Sequence, residues 1–198
     1  MKKILYLLSF LPGMLYAQVK QDTISLSAGV QDSVLGTSIV LKDRAILFQK
    51  VYASNLKKDE LLRRLKDFLP TIKNFELLGP ANQNEDRLIG RLADFLVNYR
   101  KFGGTEEYVQ DILRMPIFAN VIIQVKDYRY RVLITQIVFK SISTDSGSLL
   151  IPFDEVISRN DRQRIRISAG YRDTARYVND DFSDSFDLTS ALKLRSDF

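Results

Sequence analysis

The chain has 198 residues, 45% of them hydrophobic and 27% charged, with a formal net charge of +5 and no Cys, His or Trp. That content suffices for one buried core and excludes a disordered, collagenous or disulfide-stapled chain. The missing residue types also exclude a Cys nucleophile, a Ser-His-Asp triad and any thiolate or imidazole metal site.

Met1, Lys2 and Lys3 make a short positive start, and Ile4 to Leu11 is an apolar run interrupted by Ser9. Pro12 and Gly13 break any helix, and Met14 to Ala17 lead to a small residue. That order predicts a signal peptide over residues 1–17, cleaved after Ala17, although Leu15 is bulkier than the usual residue there. The run is too short to span a bilayer, which takes about 20 apolar residues, so no transmembrane helix is expected in the mature chain. Loss of Lys2 and Lys3 lowers the net charge from +5 to +3, too mild to argue for nucleic acid. The expected location is periplasmic or extracellular.

Residues 18–42, rich in Ser, Thr, Gln and Gly, read as a linker with an extended piece, and the domain is expected over 43–196. Ala45 to Tyr52 is β-branched and aromatic-rich, a strand. Ser54-Asn55 offers an N-cap for a helix over 57–69, where Leu61, Leu62, Leu65, Phe68 and Leu69 share one face. Asp59 with Arg63 and Glu60 with Arg64 are acid-before-base pairs four apart, and Pro70 ends the helix. Over 87–102 the spacing of Leu88, Leu92, Phe95, Leu96, Tyr99 and Phe102 slightly favours a helix capped by Gly103, while Ile89, Ala93, Phe95, Val97 and Tyr99 also fit a strand. Thr105 to Glu107 looks like a further helix start ahead of Val109, Ile112 and Leu113.

Ile117 to Lys126 and Arg129 to Lys140 predict a hairpin turning at Asp127-Tyr128, with Tyr128 unusual in a turn that favours Gly. Residues 141–148 read as a loop. Arg162 to Ile167 alternates like an edge strand with arginines on its wet face, and a closing helix is expected from Asp173.

The strand Ala45 to Tyr52, the run Lys58-Asp59-Glu60-Leu61, Ile89-Gly90, and Ile123 to Arg131 together resemble an uncharacterised bacterial envelope family, a domain of unknown function with a TBP-like fold. The resemblance covers about residues 43–195, its hairpin motif being the most specific part. It implies an α+β fold: a single domain with a curved antiparallel β-sheet and helices packed on one face, in the order β-α-β-β-β-β-α. It also implies a strand at 87–99, against the periodicity. Tyr128 stands where the family has a turn Gly, Phe68 where it often has Trp, and 103–116 looks like an insertion. The family supplies no catalytic or ligand residues to carry over, and the fold by itself does not argue DNA binding.

Candidate chemistry is sparse. Asp180, Asp181, Asp184 and Asp187 lack the Gly and Glu of a calcium loop and read as a solvated helix side. Ser54 and Lys57 have Ser-x-x-Lys spacing but also sit where a helix cap belongs, and the partner motifs are absent. Asp154 and Glu155 point to opposite faces if on a strand, so they read as solvated loop acids. No catalytic residue, metal ligand or cofactor is expected. Arg159, Arg162, Arg164, Arg166, Arg172 and Arg176 form the one local basic stretch. Arg162, Arg164 and Arg166, with Tyr128, Arg129 and Tyr130 at the hairpin tip, are the candidate partner surface. The competing readings are a charged edge strand and routine cross-strand packing. The expected function is a non-catalytic, exported envelope module that binds a partner protein or an anionic surface ligand. The alternative is a carboxylate-dependent envelope hydrolase or transferase, recognisable by two acids facing one pocket.

Overall fold

Alternating side chains build most of this molecule. The computed structural model describes residues 30–80, 86–143, 147–159 and 161–190. In chain order the elements are β1 (Val30–Ser33), β2 (Ile39–Lys42), β3 (Ala45–Ala53), α1 (Lys58–Phe68), β4 (Phe75–Pro80), β5 (Arg87–Phe95), β6 (Ile117–Lys126), β7 (Arg129–Ser143), β8 (Gly147–Pro152), α2 (Phe153–Ile157), β9 (Ser158–Arg159), β10 (Arg164–Ile165) and α3 (Ala169–Ser185). Eight strands form one sheet in the order β1-β2-β3-β7-β6-β5-β4, with β8 paired to the far half of β7. Every pairing is antiparallel.

One sheet face is apolar and covered by the helices. Phe48, Val121, Val132 and Ile134 lose all exposure there, and Leu88, Leu92, Ile123 and Val125 nearly all of it. From α3, Phe182 meets the rings of Phe48 and Phe95 at 5.6 and 5.5 Å, and Phe186 beyond its end meets Phe75 at 5.8 Å. Phe153 of α2 meets Phe139 at 5.6 Å. Leu61, Leu62, Leu65 and Phe68 bury the apolar face of α1. Burial of a large side chain contributes about 1.5–3 kcal/mol, so this face is the main source of stability in a chain without disulfides. The α+β architecture implied by the family resemblance, a single domain with a curved antiparallel sheet and helices on one face, is the one found.

Several boundaries differ from expectation. The domain does not begin near Asp43: β1 and β2 belong to the sheet, and Ile39 and Leu41 are fully buried. Asp43 and Arg44 are the turn into β3, both at positive φ (50° and 63°). These short strands need β3 as a template, which local composition does not reveal. The expected signal peptide, 1–17, lies outside the described residues. Residues 87–95 are a strand, as the family resemblance implies and against the helical period; β5 bulges between Leu92 and Phe95 and its inward positions shift register there. β4 is absent from the sequence reading; of the loop expected over 141–148, residues 141–143 belong to β7 and 147–148 to β8, while 144–146 lie outside the described residues. Residues 103–116 hold one 3-10 turn, Asp111–Arg114, rather than a helix, and α3 starts at Ala169, ahead of Asp173.

The β6–β7 turn is the expected two-residue one, with Lys126 opposite Arg129. Tyr128 takes the left-handed conformation (φ 62°) that glycine would take more easily. Its backbone is strapped on both sides: Tyr128 N donates to the Leu56 carbonyl at 3.0 Å, and Ser54 N donates to the Tyr128 carbonyl at 2.8 Å. The α1 cap is not the local Ser54-Asn55 pair. Lys58 N donates instead to the Asp127 carboxylate at 2.9 Å, so the hairpin tip caps a helix 69 residues away in sequence.

Candidate functional site

Among the described residues no helix covers the second face of the sheet. Strand parity sends Gln49, Val51 and Ala53 of β3, Arg129, Arg131, Leu133 and Thr135 of β7, Asn120, Ile122, Gln124 and Lys126 of β6, and Arg87, Ile89 and Arg91 of β5 to this side, where they are half-buried or exposed. Register arranges them in rows. Gln49, Leu133, Ile122 and Ile89 make an aliphatic stripe across the middle.

Two rows on the hairpin side of that stripe are basic. One holds Val51, Arg131, Gln124 and Arg87; the next holds Ala53, Arg129 and Lys126. Among the described residues neither contains a carboxylate. Arg131 donates to the Gln124 side-chain oxygen, a neutral partner. Among the described residues, Arg87, Lys126 and Arg129 form no ion pair. Four cations thus share one solvent-facing end of the sheet with no ion pair among the described residues, a focus of positive potential.

On the other side of the stripe the sheet bends. β5 and β6 shift register at Leu92/Phe95 and Phe118/Asn120, and Gln136 of β7 takes a φ of 52° at the same level. Bulges in neighbouring strands sharpen local twist. A groove of about 710 Å³ lies at this bend, lined by Leu47, Phe118, Asn120, Gln136, Pro152 and Asp154, with Arg91 and Arg162 at its walls. Asp43 and Asp154, from distant parts of the chain, both line it; Arg91 pairs with Glu76 at 2.7 Å, and Arg162 with Asp154 at 2.8 Å. Asn120 Nδ2 donates to Gln136 Oε1 at 2.6 Å. Two acids in one groove are what a carboxylate-dependent reaction would need, and one of them, Asp154, is already held by Arg162.

The sequence-derived surface splits apart. Arg162, Arg164 and Arg166 are not on an edge of the main sheet: β10 pairs only with β9, in a separate two-stranded ribbon. Arg162 is held by both Asp154 and Glu155, which lie in the first turn of α2 rather than in a loop. Arg166 donates to the Ser158 carbonyl at 2.7 Å and lies over the Tyr171 ring. Arg164 remains exposed. Tyr130 is no surface residue: it is 1% exposed and stacks on Tyr52 at 4.9 Å. Tyr128 is exposed at the tip, and Arg129 faces the open side with Lys126 and Arg131. Lys126 and Arg87 were missed; strand parity counted outward from Arg129 could have found Lys126, but Arg87 needed the β5–β6 register. Ser54 Oγ accepts from Leu56 N at 3.1 Å while Lys57 is exposed, a loop contact rather than a catalytic pair.

The aspartates of α3 are mostly structural. Asp184 pairs with Lys101 at 2.5 Å, and Asp187 beyond the helix accepts from Thr189 N at 2.9 Å. Asp181 is buried and accepts from Asn98 N at 2.7 Å, tying α3 to the end of β5. Among the described residues no three His, Cys, Asp or Glu side chains gather to hold a metal ion. Desolvation raises the Asp181 carboxyl above its ordinary value, more than the Asn98 bond lowers it. A raised folded value means stability that is full in acid and lost as pH rises through it. Asp181→Asn should therefore melt higher than wild type near pH 7, with the difference closing towards pH 3. A variant less stable than wild type at pH 7 but equal at pH 3 would show the charged form to be the favoured one.

No protein-family model and no curated protein matches the chain. Two solved structures do. A TBP-like protein from Parabacteroides distasonis ATCC 8503 is 17% identical, covering 74% of this chain and 94% of its own, with a TM-score of 0.47. A DUF4468 family protein from Bacteroides ovatus ATCC 8483 is 12% identical, covering 80% of this chain and 91% of its own, with a TM-score of 0.54. The second similarity shows a shared fold, the α+β sheet-and-helix architecture described above. Among the described residues no helix is long and apolar enough to cross a membrane.

Proposed function

We propose that this is an exported, non-catalytic envelope module whose open sheet face binds an acidic segment of a partner protein. The carrying observation is the pair of register rows that place Arg87, Lys126, Arg129 and Arg131 together with, among the described residues, no carboxylate between them. Arginine and lysine in this setting recognise carboxylates, and charge complementarity contributes both specificity and association rate. The adjacent Leu133, Ile122 and Ile89 offer flat, half-buried apolar contact rather than protruding anchors. That suits a protein segment better than a lipid surface, which is gripped by large side chains that insert. Export is supported by the Met1–Ala17 pattern.

The test uses defined probes. Wild type and the Lys126→Glu/Arg129→Glu/Arg131→Glu variant, both checked for equal melting, are titrated with a glutamate-rich decapeptide and separately with phosphatidylglycerol vesicles. Peptide binding should weaken at least tenfold in the variant and fall with added salt. Equal binding by the variant, or binding to vesicles alone, would overturn the reading. The exported product should begin at Gln18; a soluble cytoplasmic form retaining Met1 would remove the compartment from it.

A further inference from the structure

We propose that β8 is a docking edge for a second copy of this chain, pairing antiparallel with itself across a two-fold axis. Among the described residues the main sheet ends in three edge strands, and two of them are guarded. β4 bulges between Leu77 and Gly79 and closes on Pro80. β1 has four residues, shifts register between Val30 and Asp32, and has β10 leaning on it through Ile165 N, which donates to the Asp32 carboxylate at 2.8 Å. Bulges, proline, short length and inserted charge are the usual means of keeping an edge from pairing.

β8 has few of these guards. Its ladder to β7 runs without a shift from Val138 opposite Pro152 to Ser143 opposite Gly147. Gly147–Pro152 contains no charged residue, and its proline is at the far end. Leu149 and Leu150 are 62% and 57% exposed. Neighbouring strand residues point to opposite faces, so this edge is apolar above and below. β6 stops pairing at Ile117 opposite Phe139, so beyond Lys140 the β7–β8 pair is a two-stranded ribbon standing past the rest of the sheet.

The occupant follows from self-complementarity. An edge apolar on both faces asks for a partner strand that is the same, and β8 is such a strand. A two-fold axis normal to the ribbon through Leu150 sets Leu150 against its own copy and Leu149 against the partner's Ile151. Residues that share a face then meet, as antiparallel pairing requires. A closed two-fold contact uses the edge once and leaves no end to propagate. One short strand pair buries less than a standard interface, so the dimer is weak and appears only at high concentration. This inference does not rest on the basic rows, which lie on other parts of the sheet.

Sedimentation velocity over a concentration series should show wild type passing from monomer to dimer. Leu150→Lys, which opposes two like charges at the axis, should shift that transition at least tenfold without changing the melting temperature. The chain has no cysteine, so a single introduced one gives a clean second readout. Directly opposed strand residues lie about 4.5–5.5 Å apart, within disulfide reach. Leu150→Cys should form a disulfide dimer faster than Leu35→Cys, a control at a position 97% exposed. A wild type that stays monomeric throughout, with Leu150→Cys cross-linking no faster than the control, would overturn the proposal. It would mean that another segment or another protein covers β8. The glutamate-peptide titration reads the basic rows separately, so either idea can fail alone.

Discussion

Gly90→Ala is expected to destabilise the fold by about 3 kcal/mol, the upper part of the range for forcing extra volume into a packed core. Gly90 lies on the covered face of β5, opposite Leu77 of β4. A methyl group there would run into the ring of Phe75 and come within 2.7 Å of the Glu76 carbonyl. The carbonyl is backbone inside the β4–β5 ladder and cannot swing away. The ring is itself held edge-on by Phe186 at 5.8 Å. Urea denaturation should show a lower midpoint at unchanged slope. Phe75→Leu/Gly90→Ala should recover part of the loss relative to the sum of the single variants, since the two sites share one space. A midpoint equal to wild type for Gly90→Ala would mean that the ring does not rest on this glycine.

Tyr130→Phe carries the second large effect. The buried hydroxyl donates to the Phe186 carbonyl at 2.8 Å and accepts from Leu188 N at 2.9 Å. It thereby fastens the chain just beyond α3 to the middle of the sheet. Removing it strands two buried backbone groups, for which about 1–3 kcal/mol is the usual cost of one. The ring stack on Tyr52 and the apolar volume are retained, so the loss isolates the hydroxyl. Hydrogen exchange should report it locally, with protection lost at the Leu188 amide before the β6–β7 ladder opens. Desolvation also raises the Tyr130 hydroxyl above its ordinary value of 10.0, and Tyr52 likewise. The stability tied to these neutral forms is full below about pH 10 and declines as pH rises past it, where the unfolded chain ionises first. Tyr130→Phe should flatten part of that alkaline decline. An unchanged Leu188 exchange rate would sink the anchoring role.

Both effects lie where short-range sequence patterns give no warning. Gly90 stands in the sequence only as half of the Ile89-Gly90 pair, and nothing local marks it as the seat of an aromatic ring from β4. Tyr130 looked like a surface aromatic because it follows an exposed turn. Its parity within β7 points inward, and the groups it satisfies are 56 and 58 residues away. The arginines at 162, 164 and 166 looked like a patch because they are close in sequence. In space, Arg162 and Arg166 are taken up by their own neighbourhood, while cations from β5, β6 and β7 converge instead. α1 behaved differently: Leu61, Leu62, Leu65 and Phe68 face the core as their spacing says, because a helix places residues three and four apart on one side without outside help.

What the amino-acid order determined alone was therefore everything with a short repeat: α1, the long alternating runs of β3, β6 and β7, the two-residue turn between the last two, and the exclusion of imidazole and thiolate chemistry. Tertiary structure decided which of two periods β5 obeys, recruited β1, β2, β4 and β8 into the sheet, and chose which charges face outward together. The reason is that a strand satisfies its backbone only through a partner distant in sequence. Its register, its inward side and its neighbours are fixed by that pairing and by the apolar face it closes, neither of which a local window contains.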